Sequence, residues 1–268
     1  MGATGSQILV LSLFERVFKK GSERWSIVLH SELEGVVKPS GIMKKCSYLA
    51  FKLLGFPKNL KAIVLGEHII DSLHNEKISS LNINSIEHPL PHKIETNDFD
   101  SDGPIKSLAI IGLLRGDTKD LEQADRLAKN SDLDIHFIGR RGPSYVKPSV
   151  AREKVLETHY SFEWMGKELE NIDALYICPR SNKYKLTALG SISDALLFSK
   201  PVCWIKHDAL KAYEDAPFSI VGEDEAELLQ NLSNYIAPEA VVCEQWVNQW
   251  NNDAELKILD LCHRGATG

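Results

Sequence analysis

Three short stretches combine residue types suited to holding an anionic ligand. "GLLRGDTKD" carries Gly112, Arg115, Gly116, Asp117 and Lys119, and "GRRGPS" carries Gly139, Arg140 and Arg141. "LTALGSISDALLFSKPV" carries Gly190, Ser191 and Asp194. Glycine lets a backbone approach a phosphate closely, and arginine and lysine neutralise it. In the third stretch, Gly190 and Ser191 would offer backbone N–H groups and a hydroxyl at the start of a helix, where the helix dipole favours a pyrophosphate. Asp194 stands one turn further in; a carboxylate there repels phosphate but accepts hydrogen bonds from ribose hydroxyls. The expectation is a single diphosphate touching both Arg115 and the Gly190–Ser191 turn. Plainer roles fit the same letters: charged loops in solvent, and a serine cap followed by a first-turn acid. None of the three is a GxGxxG or P-loop pattern.

What must position these residues is an alternation of strands and helices. "WSIVLH" (25–30), "LKAIVLG" (60–66), "NINSIEH" (82–88), "SLAIIG" (107–112), "LDIHFIG" (133–139), "DALYICP" (173–179), "KPVCWI" (200–205) and "FSIVG" (218–222) read as strands. Most are near-continuous in Val, Ile and Leu, as parallel strands covered on both faces are. Helical spacing marks 40–55, 118–131, 193–199 and 223–236, and the terminal segment with Trp246 and Trp250 on one face. Repeated β–helix–β units imply an α/β protein with parallel, doubly wound sheets, whose ligands sit beyond the carboxyl ends of the strands. The three stretches follow predicted strands directly or, for Gly190, at the next helix start. The polar segment 92–104 has no apolar period and reads as a linker. It separates residues 1–100 from a larger domain, 101–268, that keeps the carboxyl-terminal helix.

Composition narrows the function classes. The chain has 268 residues, 43% hydrophobic and 25% charged, with a formal charge of −6, which argues against a broad nucleic-acid surface. No apolar run approaches the ~20 residues a membrane span needs. Five scattered cysteines form no CxxC pair, so no structural zinc and no metal site is expected, and the odd count fits reduced thiols in a cytoplasmic protein. The letters GATG recur at both ends, without a strand before the first copy, and read as flanking remnants.

The order strand, basic loop, "HFIG", "YICP", Gly-Ser loop, "DALLFSKPV" resembles the carboxyl-terminal domain of retaining, nucleotide-sugar-dependent GT-B glycosyltransferases. Pro179 and "DALLFSKPV" match that family's frame; Asp194-Ala195 stands where Glu-Ala is usual, and the position eight before Asp194 is Leu186 rather than an acid. The first region, "WSIVLHSELEG" through "INSIEHPLP", resembles the last third of the family's acceptor domain. The resemblance implies two Rossmann-like domains, the first lacking its opening β/α units. It implies glycosyl transfer from a nucleotide-diphosphate sugar to a glycan or lipid-linked acceptor, peripheral to an inner membrane. His30 falls where the family keeps a catalytic histidine near the donor sugar. Gly112, Arg115, Lys119, Gly139, Arg140, Gly190, Ser191 and Asp194 become the nucleotide and diphosphate contacts, with no cofactor beyond the donor itself. Two other readings use the same architecture: a non-catalytic nucleotide-binding module, and a sugar-nucleotide epimerase.

Overall fold

The computed structural model describes residues 25–29, 33, 60–76, 83–91, 103–181, 183–185 and 189–263. His30, the helix expected over 40–55 and both GATG ends lie outside the described residues. The chain divides into two compact units: residues 1–89 with 184–189 and 250–268, and residues 90–183 with 190–249.

Among its described residues the second unit carries one six-stranded parallel sheet. Its strands are β4 (Ser107–Leu114), β5 (Asp134–Arg141), β6 (Arg152–Leu156), β7 (Ala174–Tyr176), β8 (Val202–Ile205) and β9 (Ser219–Gly222). They lie in the order β6-β5-β4-β7-β8-β9, all parallel. Counted within this unit, that is 3-2-1-4-5-6, the doubly wound dinucleotide-binding order, which reverses between its first and fourth strands. Leu108, Ala109, Ile110 and Ile111 of β4 are all buried, because helices cover both faces of a central parallel strand. The α2 helix (Leu121–Asn130) buries Leu121, Ala124, Leu127 and Ala128 at three- and four-residue spacing, and Asp120 caps it by accepting from Gln123 N at 3.1 Å. Ser161 caps α3 (Phe162–Leu169) from Trp164 N at 3.1 Å, and Asp224 caps α5 (Glu225–Ser233) from Glu227 N at 2.9 Å. Each such cap contributes about 1 kcal/mol. A seven-residue helix, α4 (Ser191–Leu197), lies between β7 and β8.

The sequence reading omits β6 and α3. "REKVL" is a sheet-edge strand whose charges pair outward: Arg152 with Asp134 at 3.0 Å, Lys154 with Glu168, and Glu153 with Arg141 at 3.2 Å. Such a strand carries no hydrophobic run to read.

In the first unit β1 (Trp25–Leu29), β2 (Leu60–Leu65) and β3 (Ile83–Ile86) form a parallel sheet in chain order, with α1 (Glu67–Asn75) between the last two. Leu29, Leu33, Ala62, Val64, Ile69, Leu73 and Ile83 form one core cluster. Ile63, Leu65 and Ile86 form another, packed against Ile258 and Leu261 of the terminal helix α6 (Ala240–His263). The Trp250 indole N–H donates to His88 O at 3.0 Å, and Lys61 Nζ donates to Leu261 O at 3.2 Å. The boundary expected near residue 100 therefore falls at Pro89, and α6 from Trp250 onward belongs to the first unit rather than to the second domain. Apolar contacts and two long-range hydrogen bonds decide that membership; a linear reading assigns the helix to whatever precedes it.

Candidate functional site

The order of the larger sheet reverses between β4 and β7, and the loops leaving these strands are stitched together. Asp120 N donates to Cys178 O at 2.7 Å, Arg180 N donates to Thr118 O at 2.9 Å, and Lys119 and Pro179 form an antiparallel bridge. Arg180 Nε adds a bond to Gly116 O at 2.5 Å. This junction fixes the backbone of Lys119 at the carboxyl end of the sheet, where ligands of doubly wound folds bind.

The Lys119 side chain turns back along β4 and donates from Nζ to Ile111 O at 2.5 Å. A Cβ built on Gly112 would stand 3.9 Å from Lys119 Nζ and 3.8 Å from Tyr160 Oη, so these two polar atoms border the same bare stretch of backbone. Gly112 has φ +90° and faces Gly139 across the β4–β5 register, where φ is +146°. A Cβ on Gly139 would fall 2.1 Å from Gly112 O. This close approach explains the glycine pair without a ligand, and only Gly112 also borders the polar cluster.

Burial pulls the Lys119 ammonium below the ordinary lysine range, against the opposing influence of Cys178 and Asp194. Cys178 is buried and its thiol is pushed up to about 12 by that burial, so it stays neutral beside Lys119. Asp194, in the first turn of α4, keeps an open path to solvent, yet desolvation by the surrounding protein raises its carboxyl despite the pull of Lys119. Lys119 and Asp194 thus act on each other electrostatically, while burial disfavours the charged form of each. Shifted charges of this kind occur both at functional sites and in structural ion-pair networks. Tyr160 belongs to the same group; burial and then Asp194 raise its hydroxyl, and Arg140 opposes them. At the end of β5, Arg140 Nη1 lies 3.1 Å from Nε2 of His159.

Arg115 is held elsewhere. Its guanidinium binds both carboxylate oxygens of Asp117, at 3.1 Å and 2.8 Å, and holds that carboxyl below its usual range. Its stem lies against the β5–β6 connection, where a Cβ on Gly142 would come within 2.6 Å of Arg115 Cγ. Gly190 is the exposed residue before α4, with open space where a side chain would stand and helical angles of φ −79°, ψ −7°. Ser191 is the half-buried first residue of that helix. Among the predicted residues, then, the second unit gathers Gly112, Lys119 and Asp194, with Arg140 reaching the same group through Tyr160. Tyr160, His159 and Cys178 escaped the sequence reading. The signal for the first two was the polar–aromatic run "THYSFEW" after β6, which goes unread once β6 itself is missed. Among the described residues no group of three or more His, Cys, Asp or Glu side chains is placed to hold a metal ion, and no helix is long and apolar enough to cross a membrane.

No family model matches the chain, and no curated protein matches it in sequence. Solved structures do. The apo form of the lipopolysaccharide outer core galactosyltransferase WaaB superimposes with a TM-score of 0.60 at 10% identity, over 98% of this chain and 80% of that one. The catalytic domain of starch synthase IV from Arabidopsis thaliana, bound to ADP and acarbose, gives 0.58 at 11% identity, over 99% and 72%. A UDP-forming α,α-trehalose-phosphate synthase from Burkholderia vietnamiensis gives 0.55 at 10% identity, over 93% and 67%. The fold is GT-B. At such low identity the likeness is one of architecture, and the chemistry of this GT-B chain has to be argued from its own residues. Among the described residues, the two parallel sheets and the 3-2-1-4-5-6 order of the second agree with that architecture.

Proposed function

We propose that this GT-B chain is a glycosyltransferase that moves a sugar from a nucleotide-diphosphate donor to a glycan or lipid-linked acceptor. The observation that carries the reading is the Lys119–Asp194–Gly112 group at the strand-order reversal of the second unit. In glycosyl transfer the bond from the anomeric carbon to the diphosphate breaks, and negative charge grows on the departing oxygen. A desolvated ammonium stabilises that charge more than a hydrated one does, since it is already stripped of competing water. Lys119 is assigned this role, with bare backbone at Gly112 leaving room beside it. Asp194 is assigned to hydroxyls of the ribose or sugar, because its carboxylate would repel the diphosphate. Arg115 joins the diphosphate once it exchanges Asp117 for the ligand, and Gly190 and Ser191 supply further donors. Arg140 and Gly139 belong to the nucleotide side. His30 is retained as the catalytic residue that the GT-B resemblance implies. The donor is the only small molecule the scheme calls on, and the scheme places the protein in the cytoplasm, beside an inner membrane when the acceptor is lipid-linked.

The names of the fold relatives support this class, as each is a transferase or synthase of glycosyl chemistry and one was solved with ADP. A thermal-shift screen against UDP-, GDP-, ADP- and CMP-sugars identifies the donor, since a ligand of the native state raises the melting temperature. Transfer of radiolabelled sugar from that donor to glycan or lipid acceptors then tests catalysis. Absence of a shift with every donor would remove the proposal; isomerised donor formed without acceptor would replace it with epimerase chemistry.

A further inference from the structure

Arg180 has no part in the scheme above, yet it stands at the centre of the junction that carries Lys119. At the strand-order reversal of a doubly wound sheet the two connections leave toward opposite faces and open a crevice. Here one residue ties those connections together. Arg180 follows β7; its N–H donates to Thr118 O at 2.9 Å, and its Nε donates to Gly116 O at 2.5 Å. Its Nη2 lies 3.7 Å from the Glu122 carboxylate in the first turn of α2. Both carbonyls belong to the 116–118 loop that leads into Lys119, and Pro179, directly before Arg180, bridges Lys119 itself. Arg180 is held in turn from β8. His207 follows that strand, and its Nδ1 accepts from Ala209 N at 3.2 Å. A ring nitrogen that accepts carries no proton, so the neutral imidazole has its proton on Nε2, which donates to Arg180 O at 3.3 Å. Burial draws the His207 value below the usual histidine range, which favours that neutral ring. Gly116 also abuts the β5–β6 connection, where a Cβ on it would fall 2.1 Å from Ser144 O. That contact limits the loop on one side, and the bond from Arg180 fixes its carbonyl.

We propose that Arg180, braced by His207, is a positioning residue for the diphosphate end of the site and acts through Lys119. With the 116–118 loop fixed, the Lys119 side chain starts from a set point, returns along β4 to Ile111 O, and keeps its Nζ beside Gly112. The guanidinium of Arg180 is engaged by Gly116 O and Glu122, so it serves the loop rather than the ligand. Without this brace the loop gains freedom and the ammonium turns out toward water, where hydration competes with an anion for it. Small displacements of a positioned group cost more than the bond that held it. The inference rests on the glycosyl-transfer reading, which gives Lys119 its diphosphate, and adds the residues that hold Lys119 in place.

A double-mutant cycle between Arg180 and Lys119 tests it, with UDP, GDP and ADP as probes and calorimetry as the readout. In protein that keeps Lys119, Arg180→Met raises the Kd about tenfold, within the span that residues of one network show in such cycles. In the Lys119→Met background the same change has no further effect, because the group it positions is gone. Arg180→Lys keeps one donor for Gly116 O and raises the Kd only about threefold; it carries the cycle if Arg180→Met does not fold. The alkaline loss of affinity is a second readout. It moves to higher pH in the Arg180 variants, since a freer ammonium meets more water while Cys178 and Asp194 are unchanged. A brace that is only structural lowers the melting temperature and leaves both the affinity and the alkaline loss where they were. A direct contact between Arg180 and the ligand weakens binding equally in both backgrounds. Either result would overturn the inference. Binding that responds to Lys119→Met but not to Arg180→Met removes this inference alone, whereas a wild type that binds none of the three nucleotides removes the glycosyl-transfer reading and this inference with it.

Discussion

Replacing Lys119 by methionine removes one charge while keeping the apolar stem that runs back along β4. The native ammonium makes one short bond, to Ile111 O at 2.5 Å, and its charge is disfavoured by burial. A diphosphate would supply what the pocket withholds, a charged partner in a desolvated setting. A hydrogen bond to a charged group is worth about 1.5–3 kcal/mol, so Lys119→Met should raise the Kd for the preferred nucleoside diphosphate about 10- to 150-fold. The sign of the pH dependence follows from the same residue. Its value in the free protein lies below 10.5, and an anion beside it moves it back up, so binding takes up protons. The affinity gain is complete below the free-protein value and fades as pH rises from there toward the bound-state value, on the alkaline side. Calorimetry between pH 7 and 10, in pairs of buffers that differ in ionisation enthalpy, reads both effects. The wild type should lose affinity and show proton uptake as pH rises; Lys119→Met should show neither trend. Native affinity in the variant, or an identical alkaline slope, would show that the diphosphate does not sit at Lys119.

Three further predictions concern the framework. Asp125 accepts from Ser149 N at 2.9 Å, Ser149 Oγ at 2.5 Å, Val150 N at 2.9 Å and Ala151 N at 3.0 Å, clamping the β5–β6 connection to α2. Burial pushes its carboxyl up, but these bonds outweigh it and bring the value from 3.8 down to about 2, a ceiling of about 2.5 kcal/mol that its exposure reduces to about 1 kcal/mol. That contribution is present above 3.8 and is lost as pH falls through about 2, and hydrogen exchange over 145–152 should be faster in Asp125→Asn at neutral pH and match the wild type at the acid end. Gly139→Ala should destabilise the protein by about 3 kcal/mol or more, from a left-handed φ and backbone overlap together, whereas Gly190→Ala, in open space with φ −79°, should stay within about 0.5 kcal/mol; urea denaturation compares them. Trp250→Phe removes the bond to His88 O and should cost about 1 kcal/mol in the same assay, and an unchanged midpoint would show that this anchor of α6 contributes nothing.

The strands that matter most were legible because a parallel strand covered on both faces must be continuously apolar: "SLAIIG", "LDIHFIG" and "KPVCWI" each mark a central strand within a residue or two at either end. The same alternation fixed the class as doubly wound α/β, and the rule that ligands sit beyond strand ends led to Gly112, Lys119 and Asp194. Edge strand β6 stayed hidden because an edge satisfies its charges in solvent and needs no hydrophobic run. With it went the loop bearing His159 and Tyr160. Strand order is a property of pairing between distant segments, so the reversal between β4 and β7 appears only in the folded chain. Whether a cation is desolvated or already matched is likewise three-dimensional. Arg115 and Lys119 look alike four residues apart in sequence; folding pairs the first with Asp117 and turns the second back along β4 to Ile111 O, beside Gly112.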